Sequence, residues 1–320
     1  MSENRETIPV FFTIDESFAP YLDTALISLT ENASDKYDYR VFVINDNISE
    51  KSRKILSSHE KENVRVEFAE MGDEISSITN RVENKLRCDY FTMTIYFRLF
   101  IPEMFPQYDK GIYIDSDIIV AGDISEMYHI DIGDSIVGAC PDLSVADVPD
   151  FAKYIEEAVG INRYRYVNSG VLLMNLAKMR ELKFSEEFLR LMNKYHFDSV
   201  APDQDYLNAM CCGNIHFLDE KWDAMPNRQK PPQASPKLIH YNLFDKPWCY
   251  DGIQYEEYFW KYAKRSAYYE EILNFKRNYS EQDKASDSKC LNEMLTKAAR
   301  LAGEDKTFSK MYERGEKIRV

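Results

Sequence analysis

Through the first seventy positions, apolar residues come in short blocks separated by polar, helically spaced segments. IPVFFTI (8–14) is an apolar run ending at Asp15, the pattern of a strand covered on both faces. Ser17 then stands where a helix is capped, Pro20 fits a first turn, and Leu22, Leu26 and Leu29 share one helical face. YRVFVIND (39–46) repeats the strand pattern, Ser49 opens a helix over SEKSRKIL, and VRVEFA (64–69) alternates as a third strand. This β-α-β-α-β order predicts an α/β fold whose sheet is mostly parallel, with helices on its faces.

Between 71 and 88 the pattern fades, as in a crossing segment or lid. A helix is expected over YFTMTIYFRLF (90–100), stopped by Pro102, followed by one strand over GIYIDSDIIV (111–120). Further strands are expected at 136–140, 170–175 and 237–241, and helices at 184–196, 204–212 and 255–265. LNEMLTKAARLA (291–302) places Leu291, Met294, Leu295, Ala298 and Leu301 at helical spacing. The division expected is an α/β domain over 1–265 and a small helical appendage over 266–320.

The chain has 320 residues, 44% apolar and 29% charged, an ordinary globular balance. Its 40 basic against 54 acidic side chains give a net charge of −14, which argues against nucleic acid as a partner. Residues 276–320 run the other way, with 11 basic and 8 acidic side chains. That amphipathic tail suits either packing on its own domain, the favoured reading, or weak peripheral contact with an anionic inner membrane face. Six scattered cysteines show no CxxC or zinc spacing, and the opening MSENRETIP does not resemble a signal peptide. No run reaches the roughly 18–20 apolar residues of a membrane span. The expectation is a cytoplasmic chain with reduced cysteines.

Asp115 and Asp117 flank Ser116 directly after GIYI. On a continuing strand, side chains two apart face one side, so both carboxylates would meet beyond the strand's carboxyl end, where α/β sheets bind ligands. Carboxylates forced together repel, and a divalent cation relieves this while carrying phosphate oxygens. A bare DxD, taken alone, more often describes a solvated acidic turn. His240, at the end of the 237–241 strand, would add a nitrogen ligand and favour Mn²⁺ over Mg²⁺. Lys246 would offer an ammonium to a diphosphate, although His240 and Lys246 each read singly as structural residues.

Six segments taken together carry more. VFFTIDESFAPYL (10–22), TIYFRLFIPEMF (94–105), KGIYIDSDIIVAGDI (110–124), YVNSGVLLMNL (166–176), PDQDYLN (202–208) and IHYNLFDKPW (239–248) resemble, in order and spacing, glycosyltransferase family 8. That family holds bacterial lipopolysaccharide galactosyl- and glucosyltransferases and, more distantly, glycogenin. The resemblance implies a GT-A type nucleotide-diphospho-sugar transferase fold over 1–265. It also implies a Mn²⁺-dependent, retaining transfer of galactose or glucose from a UDP-sugar to a glycan, glycolipid or glycoprotein acceptor.

Position by position, the resemblance assigns Thr13, Ile14, Asp15 and Ser17 to the nucleoside loop and Phe18 to stacking on the uracil. It matches Arg98 to a residue organising the donor sugar, Asp115, Asp117 and His240 to the Mn²⁺ ligands, and Ser116 to the ribose. Asn168, Ser169 and Gly170 match the turn against the donor sugar. Asp203 matches a sugar-hydroxyl ligand, Gln204 the side chain beneath the anomeric carbon, Lys246 the diphosphate lysine, and Asp142 an acceptor-side carboxylate. Asp205 is a less favoured nucleophile, and Asn84, Arg87 and Asp89, in or beside the patternless segment, are candidates for contacting the acceptor or closing over the donor. Leu243 departs from the pattern, which often has glycine there donating its backbone N–H to the diphosphate. A non-catalytic sugar-nucleotide-binding or scaffold protein is the alternative. A phosphatase-type DxD fits poorly, because here the motif lies behind three strands.

Overall fold

The computed structural model describes residues 5–70, 94–228 and 230–320. The predicted crossing segment at 71–88, with Asn84 and Arg87, lies outside them, as do Asp89 and residues 90–93 of the predicted helix. Strands β1 (Glu6–Asp15), β2 (Tyr37–Asp46) and β3 (Val64–Glu70) pair in parallel, joined through the helices Ala19–Asn32 and Glu50–Ser57. Every residue from Ile8 to Ile14 is buried because alternate side chains feed two cores. Phe11 and Phe42 enter one core, while Val10, Phe12, Val41 and Val43 enter the other with Leu22, Leu26 and Leu29.

The caps divide. Ser49 accepts from Ser52 N at 3.1 Å, as expected. Ser17 instead donates its N–H and hydroxyl to Asp15 Oδ1, and the carboxylate caps a 3₁₀ turn, Glu16–Phe18, ahead of Ala19–Asn32. The chain is helical in three consecutive pieces, Thr94–Phe97, Arg98–Phe100 and Ile101–Met104. Pro102 therefore does not stop the helix. It lies in the first turn of the last piece, where a missing N–H is tolerated.

The strand predicted over 111–120 is two strands in two sheets. β4 (Gly111–Ile114) pairs in parallel with β1, whereas β5 (Ile118–Val120) leaves for a second sheet. β6 (Val137–Pro141), β7 (Val167–Met174) and β8 (Ile215–Phe217) complete the large sheet, whose order is β3-β2-β1-β4-β7-β6-β8. β7 is antiparallel to both β4 and β6, so the sheet is mixed. β9 (Leu238–His240) pairs antiparallel with β5, His240 opposite Ile118. The chain changes sheets at Asp115–Asp117. Asp115 N still bonds Gly170 O at 2.7 Å, while Asp117 O already accepts from Tyr241 N at 3.0 Å.

The helices Phe184–Tyr195, Pro202–Met210, Glu256–Ala263 and Glu281–Leu301 stand near their predicted places. Met294, Ala298, Leu301 and Phe308 of the tail join the same core as Phe188 and Tyr206, and Leu295 packs against it, so the chain itself covers this stripe except at its exposed first residue, Leu291. No described helix is long and apolar enough to cross a membrane. Cys140, Cys211, Cys212 and Cys249 are free thiols. Cys290 is disulfide-bonded, a departure from the expectation of reduced cysteines.

Candidate active site

Because β7 runs against β4, its first residues lie beside the carboxyl ends of β1 and β4. The start of Pro202–Met210 and the end of β9 reach the same place, and together they wall a cleft that opens to solvent. Of the predicted site residues within the described structure, all line this cleft except Asp15, Ser17, Gly170 and the less favoured Asp205.

Asp115, Asp117 and His240 present ligand atoms within 4.8 Å of one another. His240 Nε2 stands 3.4 Å from Asp117 Oδ1 and 3.9 Å from Asp115 Oδ2. The aspartates converge because the backbone turns between two sheets, and not because they alternate along one strand. Gly170 makes the space: a Cβ there would lie 2.4 Å from His240 Cε1 and 2.6 Å from Asp115 Oδ2. Burial opposes charge on Asp117, but the Lys246 ammonium and the His240 ring outweigh it and hold the carboxyl well below its usual range. Burial likewise disfavours the imidazolium, yet Asp117 and Asp223 push His240 up to about 10. Two carboxylates and one imidazole, brought together where residue 170 carries no side chain, fit a divalent cation.

Arg98, only 4% exposed, organises the opposite wall. Its guanidinium meets Asp115 Oδ1 at 2.9 Å and Asp203 Oδ2 at 3.4 Å, donates to Ser169 O at 2.6 Å, and lies 4.5 Å from the centre of the Tyr113 ring. Burial opposes its charge, but Asp115 and the Tyr113 phenol raise its pKa further. Ser169 Oγ donates to Asp203 Oδ2 at 2.8 Å, and Ser169 N donates to Gln204 Oε1 at 3.1 Å. The Gln204 amide nitrogen donates to Asp142 Oδ2 at 2.9 Å, an oxygen that Asn168 also reaches at 3.2 Å. Asp142 is therefore buried against Gln204. Asp205 faces away from the cleft, bonded by Tyr154, Tyr166 and Ala201 N.

At the other end, Thr13 Oγ1 lies 2.9 Å from the Tyr113 hydroxyl, half-buried Phe18 stands edge-on to Tyr21, and Ser116 and Ile14 line the wall. Lys246 donates to Asp117 and, at 2.6 Å, to Tyr241 O. Leu243 has φ 51°, the left-handed region where glycine is at ease and a leucine costs ~1–2 kcal/mol. The loop keeps a glycine-like backbone without the glycine.

Three features escaped the sequence reading. Tyr113 donates to Asp115 Oδ1 at 2.5 Å, although within GIYI it reads as one more core residue. Met294 of the tail lines the cleft from beyond the last matched segment. Asp223 accepts from His240 Nδ1 at 3.0 Å, but lies in a segment with no pattern to single it out.

The model of the glycosyl transferase family 8 matches residues 9–252, most of the chain. The chain belongs to glycosyltransferase family 8. A putative glycosyltransferase of Haemophilus influenzae is 28% identical over 222 residues, 69% of this chain and 64% of that protein. The chain thus spans somewhat less than two thirds of this relative. The lipopolysaccharide 1,2-glucosyltransferase of Escherichia coli is 25% identical over 308 residues, 86% of this chain and 85% of that one. Among solved structures, the galactosyltransferase LgtC, in complex with donor and acceptor sugar analogs, superposes with a TM-score of 0.69 at 24% identity. That match covers 87% of this chain and all of LgtC. The fold of this family 8 chain is of the GT-A type, a mixed seven-stranded sheet flanked by helices.

Proposed function

We propose that this chain is a retaining hexosyltransferase that moves galactose or glucose from a UDP-sugar to a glycan, glycolipid or glycoprotein acceptor. Mn²⁺, or Mg²⁺ in its place, would be held by Asp115, Asp117 and His240. The observation that carries the reading is the convergence of those three ligand atoms within 4.8 Å inside the cleft of a family 8 chain. The glucosyl and galactosyl activities in the names of the two relatives favour a hexose donor. Residues 1–265 would form the catalytic domain, working in the cytoplasm, with 266–320 a helical appendage that lends Met294 to the cleft.

When bound, the cation would offset the charge that develops on the diphosphate as the sugar–phosphate bond breaks. Lys246 would add a preorganised ammonium to the same diphosphate. Thr13, Ile14, Asp15, Ser17 and Phe18 would hold the uridine, and Ser116 its ribose. Arg98, Asn168, Ser169 and Gly170 would shape the donor-sugar pocket, with Asp203 accepting from a sugar hydroxyl. The Gln204 amide oxygen is too weak a nucleophile for a conventional covalent glycosyl-enzyme and would support positive charge at the anomeric carbon. The acceptor hydroxyl, steered from the Asp142 side, would attack on the face the phosphate leaves. Its oxygen bonds the anomeric carbon, the carbon–phosphate oxygen bond breaks, and the proton passes to the departing phosphate.

The test is Mn²⁺-dependent UDP release from a panel of UDP-sugars, with the Asp115→Ala/Asp117→Ala double variant as blank. Release from UDP-galactose or UDP-glucose above the blank is the expected result. Silence with every donor, together with no UDP binding, contradicts the reading.

A further inference from the structure

Behind the candidate cation site, on the side of His240 away from the aspartates, stands a carboxylate with no place in the scheme above. We infer that Asp223 is a positioning residue for the cation site. It holds the His240 ring so that Nε2 faces Asp115 and Asp117, and it adds a negative charge behind the ligands without touching the cation. The inference rests on the metal reading above and extends it to a residue outside that ligand set.

Position comes from the backbone. Ala224 N donates to Leu238 O at 2.9 Å and His240 N donates to Ala224 O at 3.0 Å, so residue 224 lies along β9. This pairing brings Asp223 beside His240, where Oδ1 accepts from Nδ1 at 3.0 Å. The two side chains are buried, with 3% of His240 and none of Asp223 exposed, and an Nδ1 that donates leaves Nε2 free to act as a ligand. A neutral acceptor would orient the ring equally well.

What points to the charge is the second oxygen. Asp223 Oδ2 is buried with no hydrogen-bond partner, an expensive arrangement for a group whose only task is to accept one bond. The cations nearby are already engaged, Lys246 with Asp117 and Arg98 with Asp115 and Asp203. Asp142 and Asp115 place further negative charge near Asp223, and the His240 ring is the group that Oδ1 touches. The carboxylate therefore serves the positive charge gathered on the far side of the imidazole, which is where a divalent cation fits.

The experiment is a Mn²⁺ titration followed by electron paramagnetic resonance, on the full chain with UDP present. It compares wild type, Asp117→Ala, Asp223→Asn and Asp223→Leu, each checked for native circular dichroism. Asp223→Asn keeps an acceptor for Nδ1 and removes the charge, while Asp223→Leu removes both. The expected result is a Mn²⁺ Kd raised about 10-fold in Asp223→Asn and towards 100-fold in Asp223→Leu. A Kd within twofold of wild type in Asp223→Asn overturns the inference, and this variant carries the test if Asp223→Leu does not fold. Equal Mn²⁺ binding by wild type and Asp117→Ala overturns the cation site itself, and the inference with it.

Discussion

Alanine at position 170 is expected to abolish Mn²⁺ binding and lower turnover at least 100-fold while the chain still folds. The added methyl would sit 2.4 Å from His240 Cε1, 2.6 Å from Asp115 Oδ2 and 3.0 Å from Asn168 Oδ1, closer than carbon tolerates. None of these neighbours is free to retreat. His240 is buried and held at Nδ1 by Asp223, and Asp115 is fixed by Tyr113 and Arg98. Displacing reacting groups by about 1 Å costs on the order of 10²-fold in rate. Mn²⁺ titration and the UDP-release assay, beside circular dichroism, check the result. Turnover near wild type would mean that the three ligands do not act from the positions seen here.

The second large effect concerns stability as well as activity. Arg98→Met is expected to lower the unfolding free energy by about 3–5 kcal/mol, the range for breaking a buried ion pair from one side. Asp115 and Asp203 would lose their common cation, and Ser169 O and Ile95 O their donor. Arg98→Lys should recover little, because one ammonium cannot reproduce a planar fork serving two carboxylates and two carbonyls. Urea unfolding measures the first effect and UDP release the second, which should fall to the level of the double-aspartate blank. A variant as stable as wild type would contradict the view that Arg98 neutralises the two carboxylates.

Much of this site was legible because its residues sit at strand ends, where apolar runs stop abruptly on polar side chains. IPVFFTI ending at Asp15 and GIYI ending at Asp115 both announce the carboxyl edge of the sheet. What the runs conceal is direction. GIYIDSDIIV reads as one strand because the apolar pattern resumes at Ile118, and only pairing with β9, more than a hundred residues on, takes the second half into another sheet. β8 was missed because its three residues are only half-buried and offer no run. Ser17 and Pro102 were misread for local reasons. A carboxylate two residues earlier outcompeted a hydroxyl as cap, and a proline opened a new turn instead of closing the old one. Asp223 lies beyond sequence reading altogether, since its meaning arises from backbone pairing with β9. The tail's role in walling the cleft is likewise tertiary, although its helical stripe was plain.

The central claim is that the cleft binds a UDP-sugar through a cation held by Asp115, Asp117 and His240. Calorimetric titration of UDP into wild type and into Asp115→Ala/Asp117→Ala, each with Mn²⁺ and with chelator, tests it most directly. The account predicts UDP binding by wild type with Mn²⁺ and none in the other three arms. Equal binding with chelator, or in the double variant, would contradict it.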